Sequence, residues 1–199
     1  MKKAISILLI TCALCLCACS KTKTDAPSGM KLASVVPPSD YYMYVPNDWT
    51  TANQDGITAA YVPTLENTSD KPNVTCARYT VTNSAVFELP DDKGGKSDGV
   101  IFAENYWAGY VSELQSYLPG YALISGPAAT LLNGLPAVRC RYTATLSGVS
   151  YNFDMVICVK ERMFAYILTF TAEASKYDTN VASYEKIISE FVFQTGVIK

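Results

Sequence analysis

The chain has 199 residues, of which 49% are hydrophobic and 17% are charged, and its formal net charge is −2. This composition is typical of a globular protein, because disordered chains combine low hydrophobicity with high net charge. It argues against nucleic-acid binding, which requires clustered Lys and Arg. The sequence contains no histidine, which excludes Ser-His-Asp and Cys-His catalysis and removes the commonest zinc ligand. We therefore expect no catalytic residues, no metal and no other cofactor.

The N-terminus has the pattern of a processing signal. Lys2 and Lys3 precede an apolar stretch, residues 4–16, which is too short to span a bilayer. The sequence Leu-Cys-Ala-Cys that ends at Cys19 is similar to a bacterial lipobox, with a small residue just before the cleavage point. We predict that residues 1–18 are a lipoprotein signal peptide and that Cys19 is lipidated. The alternative is an ordinary, cysteine-rich secretory signal.

A polar segment with several Lys, Thr and Pro residues follows the predicted cleavage point. It is predicted to be a flexible tether over residues 19–38, and a single domain is predicted over residues 39–199. Lipidation would place this domain on the cell membrane, on its extracytoplasmic side. The membrane is then a partner through the lipid anchor alone.

The first half of the domain is predicted to contain three strands and a helix. The strands are predicted at residues 41–45, 57–62 and 74–82, and a polar loop is predicted at 90–99. The helix is predicted over Glu104 to Leu118, because its apolar residues recur at helical spacing. They are predicted to form one buried stripe, with Trp107 as the core anchor of the helix. These residues are Trp107, Tyr110, Val111, Leu114, Tyr117 and Leu118.

Four strands in a meander are predicted next, at 122–132, 135–146, 149–160 and 163–172, joined by tight turns. A two-residue loop at Ser147-Gly148 places Cys140 opposite Met155. A two-residue loop at Glu161-Arg162 places Tyr166 opposite Ile157, so that both turns give one apolar face. A final helix is predicted over 177–193, with Asp178 as its N-cap. The order βββ-α-ββββ-α predicts an α+β fold, an antiparallel β-sheet with helices packed on it.

Four short strings carry a resemblance to a known family. They are Tyr-Met-Tyr-Val-Pro-Asn-Asp-Trp (42–49), Glu-Leu-Gln-Ser-Tyr-Leu-Pro-Gly-Tyr (113–121), Leu-Asn-Gly-Leu-Pro-Ala (132–137) and Tyr-Glu-Lys-Ile-Ile-Ser-Glu-Phe (184–191). Together with the element order, they resemble the PsbP-like lipoproteins of Gram-positive bacteria. The resemblance implies an αβα sandwich shared with photosystem PsbP and the Ran-binding Mog proteins. It also implies a non-catalytic assembly or binding role, and it gives no metal ligand for any residue of this chain.

Several polar residues were weighed as sites. Arg141 and Asp154 are predicted to face each other as a cross-strand ion pair on the more polar sheet face. Three loop carboxylates could hold Ca²⁺, although their spacing is not that of an EF-hand and lysines lie among them, so a solvated loop is favoured. These carboxylates are Asp91, Asp92 and Asp98.

The mature region contains three cysteines, Cys76, Cys140 and Cys158. Three buried thiols are favoured over one disulfide with one free thiol. In the predicted register Cys140 and Cys158 point to opposite faces of the sheet, so they should not be bonded to each other. The sequence does not decide whether Cys76 pairs with either of them.

The chain contains 14 Tyr and two Trp. Five aromatic residues near the start of the domain are candidates for a peptide or glycan groove, although their strand spacing favours a role in the core. These are Tyr41, Tyr42, Tyr44, Trp49 and Tyr61.

The favoured function is a lipid-anchored, extracytoplasmic, non-catalytic binding or assembly module of the cell envelope. Its partner is expected to be an envelope protein or a small ligand. The alternatives are a small-ligand carrier and an envelope glycan hydrolase that uses two carboxylates.

Overall fold

The computed structural model describes residues 25–33, 40–63 and 72–194. The predicted signal peptide and Cys19 lie outside these residues. No described helix is long and apolar enough to cross a bilayer. The architecture is α+β, with antiparallel sheets and two long helices, as the sequence predicts.

Eleven strands, two α-helices and one 3-10 helix are formed by the described residues. In chain order they are β1 (Met30–Leu32), β2 (Tyr41–Tyr42), β3 (Tyr44–Pro46), β4 (Thr50–Gln54), β5 (Ile57–Tyr61), β6 (Asn73–Thr80), the 3-10 helix (Ser84–Phe87), α1 (Asp98–Tyr117), β7 (Ala122–Leu132), β8 (Leu135–Leu146), β9 (Val149–Lys160), β10 (Phe164–Glu173), α2 (Ala174–Glu190) and β11 (Val192–Phe193). Seven strands form the main sheet in the order β4-β5-β6-β10-β9-β8-β7, and every neighbouring pair is antiparallel.

The predicted register between β8 and β9 is confirmed. Cys140 pairs with Met155 and Arg141 pairs with Asp154. The turn between these strands is Ser147-Gly148, where both residues have positive φ, 51° and 81°. This backbone twist matches the right-handed twist of the flanking strands, which fixes the two-residue loop.

The predicted register between β9 and β10 was wrong by one residue. Phe164 pairs with Lys160, and Tyr166 pairs with Cys158 rather than with Ile157. Although Glu161 and Arg162 have the positive φ of a tight turn, Met163 is left out of this pairing, and its carbonyl accepts a hydrogen bond from the Val81 amide instead. Because side chains alternate along a strand, this one-residue slip moves every side chain of β10 to the opposite face.

The two faces of the main sheet are covered by one helix each. Helix α1 packs on the face that carries Cys140, Met155 and Ile167. Helix α2 packs on the face that carries Val156, Tyr166 and other apolar residues of β10. The slip in β10 therefore supplies the second face with large apolar side chains, and it makes the fold a three-layer αβα sandwich.

Both helices begin earlier than predicted. Helix α1 begins at Asp98, because the Ser97 hydroxyl accepts a hydrogen bond from the Val100 amide and caps the first turn, so the predicted loop at 90–99 ends inside the helix. Helix α2 begins at Ala174, which makes the prediction of Asp178 as its N-cap wrong. Asp178 lies within the second turn of α2.

The start of the domain also differs from the prediction. Strand β1 pairs with β3, and both Met30 and Ala33 are buried in the core beneath α2, so the predicted tether was wrong for this part of residues 19–38. The predicted strand at 41–45 is split between β2 and β3, which lie in two small sheets beside the main one. Its place in the main sheet is taken by β4, which joins β5 through the turn Asp55-Gly56.

Candidate functional site

An open groove lies between the end of β6, the 3-10 helix and α1. Its volume is about 410 Å³, within the usual size range of small-molecule sites. The side chain of Asn83 begins the 3-10 helix by accepting a hydrogen bond from the Ala85 amide at 3.0 Å. From α1, the side-chain amide of Asn105 donates to the carbonyls of Val86 and Glu88 at 3.2 and 3.0 Å. These bonds hold the two walls of the groove together.

Three tyrosines line this groove and define it as the tyrosine groove. Tyr106 and Tyr110 lie one turn apart on α1, with their rings stacked at a centroid distance of 6.2 Å. Tyr79 projects from β6 and is 46% exposed. Gly109 lies beside them on α1, and a Cβ atom at this position would meet no atom within 4 Å. The absence of a side chain at Gly109 therefore leaves this part of the groove open.

The described lining of the tyrosine groove combines tyrosine hydroxyls with one carboxylate. Burial, together with the nearby Tyr110, Tyr79 and Glu113, raises the pKa of Tyr106 to about 12. Burial also raises the pKa of Tyr110, with Tyr79 and Glu113 as further causes. Among the described residues that line the groove, Glu113 is the only charged one. The groove therefore combines aromatic faces and neutral hydroxyls with a single carboxylate.

The irregular turn between β9 and β10 supports the base of the groove. The guanidinium of Arg162 lies over the rings of Phe87 and Phe102, at 5.4 and 5.1 Å from their centroids. These two rings meet edge to face at 5.5 Å. Next to Arg162, the carbonyl of Met163 accepts the hydrogen bond from Val81, which lines the groove. The hydrogen bond that Met163 makes outside the β9–β10 pairing thus connects this turn to the wall of the groove.

The three loop carboxylates that were considered as Ca²⁺ ligands do not converge. Asp98 forms an ion pair with Lys93 at 2.7 Å, and Asp92 accepts a hydrogen bond from the Gly94 amide at 2.8 Å. Asp91 is exposed and lies before this turn. Within the described parts of the chain, no group of three His, Cys, Asp or Glu residues has metal-binding geometry.

Arg141 and Asp154 are neighbours across β8 and β9, as predicted, but the principal partner of Asp154 is Arg139. The Asp154 carboxylate is fully buried and accepts two hydrogen bonds from the Arg139 guanidinium, at 2.7 and 2.6 Å. The Tyr177 hydroxyl of α2 donates a third at 2.6 Å. Arg139 also bonds Glu185 of α2 at 2.7 Å, whereas Arg141 lies 3.8 Å from Asp154. These residues are called the Asp154 cluster below; Asp154 and Tyr177 are buried under α2, whereas the two arginines and Glu185 reach solvent at its edge.

The Asp154 cluster stabilises the attachment of α2, and its central carboxylate is closed to ligands. The hydrogen bonds to Asp154 raise the pKa of the Arg139 guanidinium. Burial, and then the hydrogen bond to Asp154, raises the pKa of the Tyr177 hydroxyl. These residues all lie within the sheet and α2. The predicted pair of Arg141 with Asp154 is therefore present, whereas sequence reasoning missed Arg139 and Tyr177, the stronger partners that bind Asp154 under α2.

The five aromatic residues proposed for a groove near the start of the domain do not form one. Tyr41, Tyr44 and Trp49 are buried in the core under α2. The Tyr41 hydroxyl pairs with the Thr58 hydroxyl at 2.8 Å and donates to the Cys76 carbonyl. The remaining two, Tyr42 and Tyr61, are half-buried. The core interpretation is therefore confirmed for Tyr41, Tyr44 and Trp49.

Sequence reasoning missed the tyrosine groove, although part of its signal is visible in the chain. Tyr106 and Tyr110 are spaced i, i+4, which places them on one helix face. Tyr110 was assigned to the buried stripe, and Tyr106 lies beside that stripe. The contribution of Tyr79 could not be found, because it depends on how β6 is placed next to α1.

Cys76, Cys140 and Cys158 are all buried and unbonded, which agrees with the favoured prediction. Burial raises the pKa of each thiol to about 12. A neutral thiol is a poor nucleophile, since the thiolate is the reactive form. The prediction that Cys140 and Cys158 do not bond to each other is confirmed. Cys76 also has no disulfide partner among the described cysteines.

We expect the three thiols to resist alkylation by iodoacetamide in the folded domain at pH 8 and to react readily in denaturant. The raised pKa values lower the thiolate fraction roughly a thousandfold relative to an exposed thiol. Mass spectrometry without reduction should find three alkylated cysteines after unfolding and no cross-linked peptide. A disulfide-linked 140–158 peptide would contradict the strand register.

The same shifts predict a loss of stability at alkaline pH. A thiol whose pKa is raised by folding binds its proton more tightly in the native state than in the unfolded state. Its contribution to stability is complete below the unfolded pKa, near 9, and falls as the pH rises towards 12. Urea denaturation at pH 8 and pH 10.5 should show lower stability at the higher pH.

The described residues form an αβα sandwich with an open aromatic groove on its surface. Residues 39–193 match the family described as PsbP-like protein. The chain therefore belongs to the PsbP-like family, as the resemblance in its sequence predicts. No curated protein sequence matches this chain.

Solved structures share the fold at low sequence identity. LpqN of Mycobacterium tuberculosis, a protein involved in cell envelope biogenesis, is 16% identical with a TM-score of 0.57, over 83% of this chain and 91% of LpqN. Cyanobacterial PsbP (CyanoP) from Synechocystis is 13% identical with a TM-score of 0.54, over 89% and 98%. The Saccharomyces cerevisiae Ran-binding protein Mog1p is 7% identical with a TM-score of 0.50, over 83% and 96%. These similarities establish the fold.

Proposed function

We propose that this protein is a lipid-anchored, extracytoplasmic binding module of the bacterial cell envelope, without catalytic activity, and that its tyrosine groove is the binding site. The observation that carries the proposal is the groove itself, where aromatic rings converge with hydroxyl groups at the surface. Aromatic side chains of this kind offer a large apolar contact area with a polar end. Membership of the PsbP-like family and the cell envelope role of LpqN support this assignment.

The lipobox-like sequence supports the membrane anchor. Residues 20–24 alone separate Cys19 from Asp25, the first residue that the structure describes. A fully extended chain between these two residues spans at most about 20 Å. Because β1 begins at Met30, this short connection would hold the domain close to the bilayer surface.

The chemistry of the groove favours binding over hydrolysis. Glycoside hydrolysis normally requires two carboxyl groups on either side of the scissile bond. Glu113 is the one carboxylate among the described residues that line the tyrosine groove. In the neighbouring depression around Lys93 and Lys96, Glu104 is held in an ion pair with Lys96 at 2.8 Å. The described lining of the tyrosine groove therefore offers no pair of carboxylates.

The shape of the surface favours binding over carriage of a ligand in a closed cavity. The tyrosine groove is open to solvent. Large apolar side chains are also exposed at one end of the main sheet, around the start of β7 and the turn between β8 and β9. These are Tyr117, Leu123, Ile124, Leu146 and Val149. Both features are more typical of a module that acts at its surface.

Replacing Cys19 by Ala is expected to leave the protein unlipidated, and therefore released from membranes or unprocessed. Lipoprotein processing requires the thiol that carries the diacylglycerol. Metabolic labelling with an alkyne fatty acid, followed by membrane fractionation, measures the result. Cys17→Ala is the matched control and should keep the label. A Cys19→Ala protein that still carries the label would contradict the assignment.

A steric variant tests whether the tyrosine groove is the binding site. Gly109→Leu places a side chain into the open groove, and it favours the helix because Gly is one of the poorest helix formers. The anchored parent and Gly109→Leu proteins are cross-linked in intact cells, and the bound components are compared. We expect components bound by the parent to be lost from the variant. Identical components in both would overturn the groove as the site.

A further inference from the structure

The side chains of the tyrosine groove restrict the chemistry of its ligand. The amide groups of Asn83 and Asn105 are engaged within the wall, the first by the Ala85 amide and the second by two backbone carbonyls. A sugar is recognised by several hydrogen-bonding side chains around its hydroxyl groups. The Oδ1 atom of Asn83 and the Nδ2 atom of Asn105 are thus occupied within the wall, which reduces the number of side-chain groups that could bind a sugar.

The remaining groups suit a positive charge. No described Lys or Arg lines the groove or forms an ion pair with Glu113, which is exposed on α1. Aromatic rings carry negative charge on their faces, and a cation within about 6 Å of a ring centre is attracted to it. Tyr79, Tyr106 and Tyr110 provide three such rings beside this one unpaired carboxylate.

We propose that the tyrosine groove binds an organic ammonium group, either a quaternary ammonium or a protonated amine. The rings of Tyr79, Tyr106 and Tyr110 contact the carbon atoms around the nitrogen, and the carboxylate of Glu113 balances the charge. This inference rests on the proposed function and names the class of ligand at the same site. It follows from the juxtaposition of three rings and one carboxylate in a groove without a lining cation.

Titration of the domain with choline and with its neutral isostere 3,3-dimethylbutan-1-ol tests the charge directly. The two probes have the same shape, so a difference in affinity reports the cation. We expect choline to bind at least roughly tenfold more tightly, and its N-methyl NMR signal to move upfield in the ring current. n-Butylammonium is the third probe. If choline binds more tightly, the groove prefers a quaternary ammonium, and if n-butylammonium binds more tightly, it prefers a protonated primary amine.

Variants of α1 distinguish binding in the groove from a general effect of the net charge of the protein on choline binding. Glu113→Gln should weaken choline binding several-fold, with no effect on the neutral isostere. Glu104→Gln removes the same charge from α1 outside the groove and should leave choline binding unchanged. Gly109→Leu should abolish binding of every probe while the melting temperature stays equal or rises. The binding of choline should also weaken in high salt, because the carboxylate is exposed.

Two results would overturn the inference. Equal binding of choline and the neutral isostere would show that the groove selects shape rather than charge, and the proposed binding role would survive. Absence of binding by all three probes to the folded parent would reject the ammonium ligand. The cross-linking comparison with Gly109→Leu reports on the groove independently of any probe, so failure of the ligand class and failure of the site are distinguishable.

Discussion

Replacing Arg139 by Met is expected to lower the free energy of unfolding by about 3–5 kcal/mol. The variant keeps most of the volume of the side chain and removes its charge. Asp154 is fully buried and would lose two hydrogen bonds, so its carboxylate would remain in the interior with the Tyr177 hydroxyl as its main partner. An uncompensated buried charge is among the most costly defects a fold can have. Urea denaturation followed by circular dichroism measures the loss.

Arg141→Met is the matched control for this prediction. Arg141 is on the same strand and face, but its guanidinium lies 3.8 Å from Asp154 and is partly exposed. It also lies over the ring of Tyr177 at 4.8 Å. We expect its replacement to cost about 1 kcal/mol or less. Equal losses for the two variants would show that Arg139 is not the principal partner of Asp154.

Trp107→Ala is expected to lower the free energy of unfolding by about 3–5 kcal/mol, a large part of a typical domain stability of roughly 5–15 kcal/mol. The Trp107 side chain is 4% exposed and packs against the sheet under α1, with its ring centroid 6.2 Å from that of Tyr142. Its removal costs the transfer free energy of the ring and leaves a cavity. The predicted role of Trp107 as the core anchor of α1 agrees with this burial.

Tyr117→Ala on the same helix provides the contrast. The sequence pattern assigned Tyr117 to the buried stripe of α1, but the structure shows that it is 80% exposed. We therefore expect this variant to melt within about 0.5 kcal/mol of the parent. A melting temperature for Trp107→Ala that matches the parent would contradict the packing of α1 on the sheet.

The end of α1 explains why the periodic pattern failed at Tyr117. Helical spacing identifies the face of a helix, but it does not show how far along the helix the sheet extends. The deeply buried part of α1 is its first half, at Val100, Ile101 and Phe102, which lie before the predicted start of the helix at Glu104. The cap at Ser97 begins this half, and the short polar Ser-Asp-Gly string around it concealed the start of the helix.

The sequence by itself determined the α+β class, the order of the meander, the register of β8 on β9 and the family. These features depend on local signals, because hydrophobic periodicity and turn residues act over a few positions. It also determined that the three thiols are buried, since they occupy apolar strand positions. The prediction of lipidation at Cys19 likewise comes from the sequence alone, and it remains a prediction.

Only the tertiary structure decided which polar residues matter and where ligands can reach. Arg139, rather than Arg141, became the partner of Asp154 because α2 covers that face and brings Tyr177 to it. The tyrosine groove exists because β6 and α1, which are separate in the chain, meet across the 3-10 helix. Met163 adds one residue to the turn before β10, so the strand pairs one position later than predicted. Because side chains alternate along a strand, every side chain of β10 then points to the opposite face. Such features depend on contacts between segments that are far apart in the chain, and local sequence patterns do not show which segments meet.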